Sequence, residues 1–449
     1  MINYNIKIIV FKHNFNLFAC LINFIVIELY TKRCLCMKER NIISIDLKSF
    51  FASCECVDRK LDPFKVPLVV ADTSRGKGAT CLAVSPYLRN IGVDSRSKVF
   101  ELPKNVKIIY AKPRMKLYET YSQKVIDIYK EFFSEEDIHI YSIDEVFIDA
   151  TDYLKYYNKT DEELALTIMK TIKEKTGLTS TAGIGPNIFL AKVAMDIEAK
   201  HQKNCISKWT FDDIEKKLWN IEPISKIWGF GRNTEKKLKN LGIKKVKDIN
   251  NYKKEFYTKR FGNVMGNDIW SKANGIDFTT IKDLNNRGRE KSMSMSQILY
   301  RDYNTDEALL IIEEMNDMLN TKLKSKNLTT KLVYLGITYS RDLYKRFSES
   351  ILLNVEEDNK DKLFETLKYL YNKNVEDLPI RKVAIAYSKL SNKKCTQLSL
   401  FDNNEIKTNE YHEIINKINE KFGNTSLLRA SSLLSSSTIK NRERFKNML

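Results

Sequence analysis

The sequence predicts a mixed α/β chain built from several domains. Three observations carry this. Strand-like runs recur at 43–47, 138–149 and 178–184, between stretches of helical period. A second block of strands and helices follows a polar stretch near residue 285. The chain has 449 residues, more than one hydrophobic core organises, which suggests three or four domains.

The elements follow in order. In "NIISIDLKSFFAS" (41–53), Ile43, Ile45 and Leu47 alternate with Ser44, Asp46 and Lys48. This reads as a strand with Asp46 on its polar face, running into a helix. Residues 66–74 and 81–93 predict a strand pair followed by a short helix ending near Gly92. "VKIIYAKP" predicts a strand, and 115–133 a helix with one apolar side. Two strand-like runs then flank "SIDEVFID" (142–149), so Asp144 and Glu145 sit at or near a hairpin turn. The turn matters because adjacent side chains of a regular strand face opposite ways, whereas a turn brings both to one site. A helix (161–176), a strand (178–184) and a helix from Asn187 complete the first sheet. From about 203 the chain reads as helical. "DLNNRGREKSMSMS" (283–296) reads as a linker. Strands at 291–299, 331–340, 348–354 and 381–389, with helices at 305–326 and 357–373, form a small α/β domain. Beyond Asn392 the composition is polar, with little core of its own.

Residues 15–30, "FNLFACLINFIVIELY", are interrupted by Asn16, Asn23 and Glu28 and fall short of the ~20 apolar residues that span a bilayer. No small-residue cleavage site suits a signal peptide. The expectation is translation from Met37, with a membrane anchor as the alternative. Eight cysteines stand without zinc spacing or a disulfide framework, which suits a reducing cytoplasm.

The 75 Lys and Arg against 57 Asp and Glu leave a net charge of +18. Such an excess suits nucleic acid, although Lys- and Asn-rich composition from an AT-rich genome also produces it. Two adjacent carboxylates within an apolar run need a cationic partner, either basic side chains or a metal. Asp46, Asp144 and Glu145 together are the cluster with which nucleotidyl-transfer enzymes hold two Mg²⁺; a solvated sheet rim is the plainer alternative.

"IDLKSFFASCE", "AVSPYLRNIGV", "YSIDEVFID" and "AGIGPNIFLAKVAMDIEAK" resemble, in order and spacing, the Y-family DNA polymerases, and most closely the UmuC-like branch of Gram-positive bacteria. The likeness covers residues 40 to 440. It implies a right-handed polymerase: first palm strand (37–48), fingers (49–114), palm (115–202), thumb (203–280), linker (281–290), little finger (291–392) and tail (393–449), after an extension (1–36). It implies translesion DNA synthesis, of low fidelity and low processivity, in an SOS-type damage response. Asp46, Asp144 and Glu145 fall on its metal-binding carboxylates and the Leu47 carbonyl on a further ligand. Arg89 and Lys192 fall on residues that contact the incoming triphosphate. Phe51 falls on the steric gate that excludes a 2′-hydroxyl, with Phe50 beside it; the two could equally be core aromatics. Lys48 replaces an Asp found in some members, and Pro86 a fingers tyrosine.

"IWGFGRNTEKKLKNLGI" resembles a helix-hairpin-helix, in which Gly229 and Gly231 form a tight turn and Arg232 and Lys236 hold a DNA phosphate. "QLSLF" (397–401) resembles the bacterial sliding-clamp-binding motif, with Gln397, Leu398, Leu400 and Phe401 filling a groove on the clamp (beta subunit). Its alternative is that Leu398, Leu400 and Phe401 fold back on the little finger. The expected partners are primer-template DNA, dNTPs and the clamp, with no membrane, for a monomer. A nucleotidyl cyclase is the rival enzyme, but has no use for the helix-hairpin-helix. A non-catalytic DNA-binding protein is the other rival, opposed by the intact carboxylates.

Overall fold

A computed structural model describes residues 40–286, 292–393 and 411–439, less 412, 413, 416, 420, 424 and 425. The extension 1–36 and the 397–401 motif lie outside them. The chain forms two compact units: residues up to 112 with 117–285, and residues 113–116 with those from 286 onward.

The first unit opens on strand β1 (Ile42–Leu47), where Ile42, Ile43 and Ile45 are fully buried. Ser49, at a left-handed φ of 48°, turns the chain into helix α1 (Phe50–Asp58). A three-stranded sheet follows: β2 (Leu68–Val70), β3 (Ala83–Val84) and β4 (Ile109–Ala111), with helix α2 (Pro86–Asn90) after β3. Ser85 caps α2 by accepting from the Leu88 N–H, and Pro86 takes the first helical position, where a missing N–H costs nothing. Pro86 is therefore a helix starter, buried, with no polar group to offer.

Helix α3 (Met115–Phe132) leads to β5 (Ile138–Ile140) and β6 (Glu145–Asp149), joined by residues 141–144. Helix α4 (Tyr153–Tyr157), helix α5 (Asp161–Thr176), strand β7 (Ser180–Gly185), helix α6 (Ile188–Ile197) and strand β8 (Ile206–Lys208) complete the layer. The main sheet runs β5-β6-β1-β7-β8, so β1 lies at its centre. β8 pairs parallel with β7, which corrects the expectation that the chain is helical from about 203. Helix α6 crosses this sheet so closely that a Cβ on Gly183 would meet the Ala191 carbonyl oxygen at 2.2 Å. Glycine at that position is what lets the helix lie against β1 and β7.

Short helices follow: α7 (Asp213–Lys216), α8 (Arg232–Lys239), α9 (Lys254–Phe261) and α10 (Asn263–Ala273). They bury Trp209, Phe230, Leu238, Tyr257 and Ile269 among themselves. Helix α11 (Ile281–Asn286) packs Ile281 against Ile42, Phe147 and Ile188, so the front of the expected linker is ordered helix of the first unit.

In the second unit, β9 (Ser292–Tyr303), helix α12 (Thr305–Ser325), β10 (Leu328–Tyr339), β11 (Arg346–Glu357), helix α13 (Lys360–Asn374) and β12 (Ile380–Ser388) form an antiparallel sheet in the order β11-β10-β12-β9. The two helices bury Ile311, Met315, Leu319, Leu363 and Leu367 against Val333, Leu335, Val383 and Ile385. The tail does not stay clear of this core. Arg429 pairs with Glu313 and Asp317, and Thr438, fully buried, donates to Glu314, itself 3% exposed. A buried carboxylate satisfied by Ser437 and Thr438 ties the last described residues to the domain.

Candidate active site

The register of the central sheet assembles the site. β1 and β6 run antiparallel with Asp46 directly opposite Glu145, so the two carboxylates share a face. Asp144 ends the preceding turn, where Ser142 Oγ donates to its Oδ1 at 2.6 Å and its carbonyl accepts from the Leu47 N–H at 3.0 Å. Ser122 on α3 donates to the Ile143 carbonyl at 2.6 Å, which pins the turn to the helix behind it. The Leu47 side chain is buried, leaving only its backbone to contribute.

The cationic partners that adjacent carboxylates require are two lysines. Lys192 Nζ on α6 lies 2.6 Å from Glu145 Oε1 and 3.1 Å from Asp196 Oδ2. Lys200 Nζ lies 2.5 Å from Asp46 Oδ2 and 2.8 Å from Asp196 Oδ1. The result is an alternating chain of charge: Glu145, Lys192, Asp196, Lys200, Asp46. Burial raises the Asp46 carboxyl above its usual range, a push that Lys200 opposes. Burial likewise pushes Glu145 up to about 7, against the attraction of Lys192. For Lys200, burial pulls down, but Asp46 and Asp196 outweigh it and hold the ammonium charged well above its ordinary value.

This site fits a divalent cation by the chemistry of its donors, which are all hard oxygens. Glu145 Oε1 is buried and has no hydrogen-bond partner: Lys192 is near enough to attract it but lacks hydrogen-bond geometry. Among the described residues no three metal-ligating side chains already converge into a cage. The lysines occupy that space electrostatically.

Of the triphosphate contacts read from the sequence, the structure gathers one and leaves one apart. Lys192 joins the cluster, 5% exposed and paired with Glu145 and Asp196. Arg89 is exposed on α2 and has no part in the lysine–carboxylate chain. Lys200, which sequence reading passed over, is the most exposed cation of the cluster, its side chain 36% accessible. A signal for it existed: Lys192, Asp196 and Lys200 recur every four residues within the mostly apolar "FLAKVAMDIEAK".

Phe50 is 3% exposed and packs in the core beside Phe51, their ring centroids 5.6 Å apart. Phe51 is half-buried, its ring stacked on Tyr118 at 4.6 Å. Lys48 does not join the carboxylates; its ammonium donates to Cys205 Sγ at 2.9 Å.

In the helical region, Gly229 has φ +91°, a left-handed backbone that side chains rarely adopt, which favours glycine there. Gly231 is extended and serves instead as the N-cap of α8, offering no side chain to its first N–H groups. Arg232 and Lys236 line an open groove with Ser225, Glu235, Lys239 and Asn240. This is an exposed, basic helix start.

Comparison with known proteins places these features together. Residues 45–196 match the profile of the impB/mucB/samB family, 290–400 its C-terminal domain, and 212–243 the helix-hairpin-helix motif of the same family. A putative UV-damage repair protein, UvrX, of Bacillus subtilis is 32% identical over 397 residues, covering 88% of this chain and 93% of that protein. A DNA polymerase IV of Desulfotalea psychrophila is 32% identical over 359 residues, 79% of this chain and 91% of its own length. The solved structure of a Y-family DNA polymerase chimera superposes with a TM-score of 0.63 at 21% identity, covering 78% of this chain and 99% of its own.

Proposed function

Since the chain belongs to the impB/mucB/samB family of Y-family polymerases, and is a DNA-directed DNA polymerase, we propose that it extends primers across damaged template with low fidelity and low processivity, in an SOS-type response. The observation that carries the catalytic part is the pairing of Asp46 with Glu145 across β1 and β6, with Asp144 on the adjoining turn.

Y-family polymerases depend on metal, and Asp46, Asp144, Glu145 and the Leu47 carbonyl are the residues that would hold two Mg²⁺. Bound there, such ions supply a lowered pKa to the primer 3′-hydroxyl and neutralise charge on the leaving pyrophosphate. The chain's own residues do the rest. Lys200 offers a partly exposed ammonium beside Asp46, where triphosphate oxygens gather charge. Arg89 adds a second cation from the fingers. Lys192 stays inside and keeps Glu145 compensated. Phe51 lies under the incoming sugar and leaves no room for a 2′-hydroxyl. Among the described residues no helix is long and apolar enough to cross a membrane; we place the chain, as a monomer, in the cytoplasm. The test is primer extension with Mg²⁺ on undamaged and abasic templates: no extension on either overturns this reading.

Gly231, Arg232 and Lys236 would grip a duplex phosphate at the α8 N-terminus. Removing one phosphate-binding cation flattens the log–log salt dependence of binding by about 0.9. Neutralising Arg232, Lys236 and Lys237 together therefore lowers the slope by about 2 to 3; a slope equal to wild type removes this region from the duplex interface.

A polymerase with a weak grip gains residence from a tether, roughly 10²–10⁴ in avidity. We assign that tether to Gln397, Leu398, Leu400 and Phe401. Leu400→Ala with Phe401→Ala abolishes clamp binding and clamp-stimulated extension and leaves clamp-free extension unchanged. Equal loss in both assays assigns the two residues to the folded domain instead.

A further inference from the structure

Glu55 has no part in the chemistry above, yet it is fully buried in α1. An uncompensated carboxylate there costs several kcal/mol, so its partners indicate its purpose. Arg59, one turn on, makes an ion pair with it. Tyr118 on α3, itself fully buried, donates its hydroxyl to Glu55 Oε1 at 2.7 Å. The face of the same Tyr118 ring carries Phe51, at 4.6 Å between centroids and 22° between planes.

Phe51 and Glu55 are four residues apart on one helix and therefore share a face. Tyr118 is thus gripped twice by α1: by its ring face through Phe51 and by its hydroxyl through Glu55. Phe51 is the half-exposed end of this assembly and stands five residues after Asp46, where β1 turns into α1. A ring that packs on solvent on one side can swing unless the other side is fixed. Here the fixed side is an aromatic wall whose tilt a charge-assisted hydrogen bond sets.

We propose that Tyr118 is a positioning residue for sugar selection: held by Glu55 and Arg59, it fixes the Phe51 ring at the height that excludes a 2′-hydroxyl. This rests on the reading of Phe51 as the surface under the incoming sugar. The hydroxyl of Tyr118 never touches the nucleotide; it acts through the ring it supports.

The test is single-nucleotide incorporation by the full chain on primer-template DNA, with kcat/KM measured for a dNTP and for its matching rNTP. Loss of folded enzyme lowers both values together and leaves their ratio unmoved, so the ratio reports position rather than stability. Phe51→Ala relaxes the preference for dNTP strongly. Tyr118→Phe keeps the stack, loses the hydrogen bond and relaxes the ratio about fivefold. Tyr118→Leu removes the wall and relaxes it further. Glu55→Gln keeps an acceptor and stays near the wild-type ratio. In a Phe51→Ala background, Tyr118→Phe changes nothing more. Wild-type ratios for both Tyr118 variants, beside a relaxed Phe51→Ala, overturn the inference while leaving the gate in place. A wild-type ratio for Phe51→Ala overturns the gate and the inference with it.

Discussion

Asp144→Asn or Glu145→Gln removes nucleotide incorporation by about 10³-fold or more and leaves DNA binding nearly intact. Asp144 and Glu145 stand at the β5–β6 turn and the start of β6, on different elements from the basic α8 start to which the phosphate grip is assigned above. Neither carboxylate carries charge that attracts a phosphate backbone. Their loss strips negative charge from the place where the donor set gathers hard oxygens, and the transition state loses its stabilisation. Single-turnover extension and a binding titration separate the two effects. Either variant retaining a tenth of the wild-type rate removes it from the catalytic set.

The same substitution has a stability signature with a definite sign. Burial raises Glu145 to about 7 from an ordinary 4.5, so between these values the folded chain holds a proton that the unfolded chain releases. Stability from this group is then present at low pH and lost as pH rises through that window. The amide that replaces it in the Glu145→Gln variant does not titrate. In EDTA, the Tm of Glu145→Gln minus that of wild type therefore grows from pH 4.5 to pH 7 and levels above it. A difference that stays flat across the window removes the burial argument.

Much of this was legible in the sequence because period and punctuation agree. The helix predicted over 161–176 spans Asp161–Thr176, framed by a Thr160 capping box and Gly177 at a φ of 73°. The Asp144 turn was legible for the same reason, since two apolar strand runs flank it. Strand β8 escaped because three residues give too little alternation to distinguish from helix, and only its neighbour β7 makes it a strand. Phe50 and Phe51 could not be separated, as one residue of helical rotation decides which ring faces the core. Lys192 and Lys200 share one helix stretch and its continuation; Lys192 lies within the helix, 6% accessible, and Lys200 beyond its end, 36% accessible. The tail over α12 was illegible because polar side chains, Ser437 and Thr438, make its anchor to a buried Glu314.

Lys200→Met lowers kcat/KM for dNTP incorporation by roughly 10²-fold, chiefly through a raised KM, because the triphosphate loses a charge-assisted hydrogen bond. Met keeps an apolar stem of similar reach and removes only the charge. The same variant releases Asp46 from its ion pair, so Mn²⁺ binding without nucleotide tightens. The two changes run in opposite directions. A purely obstructive Lys200 would tighten the metal and leave KM where it was. Lys192→Met provides the contrast. It leaves the largely buried Glu145 without its cation, while Asp196 keeps Lys200, and this costs about 3 kcal/mol in denaturant unfolding and scarcely alters KM. Steady-state kinetics, a Mn²⁺ titration and urea unfolding on both variants distinguish the roles. An unchanged dNTP KM in Lys200→Met assigns the lysine to the resting cluster alone and returns the triphosphate contact to Arg89.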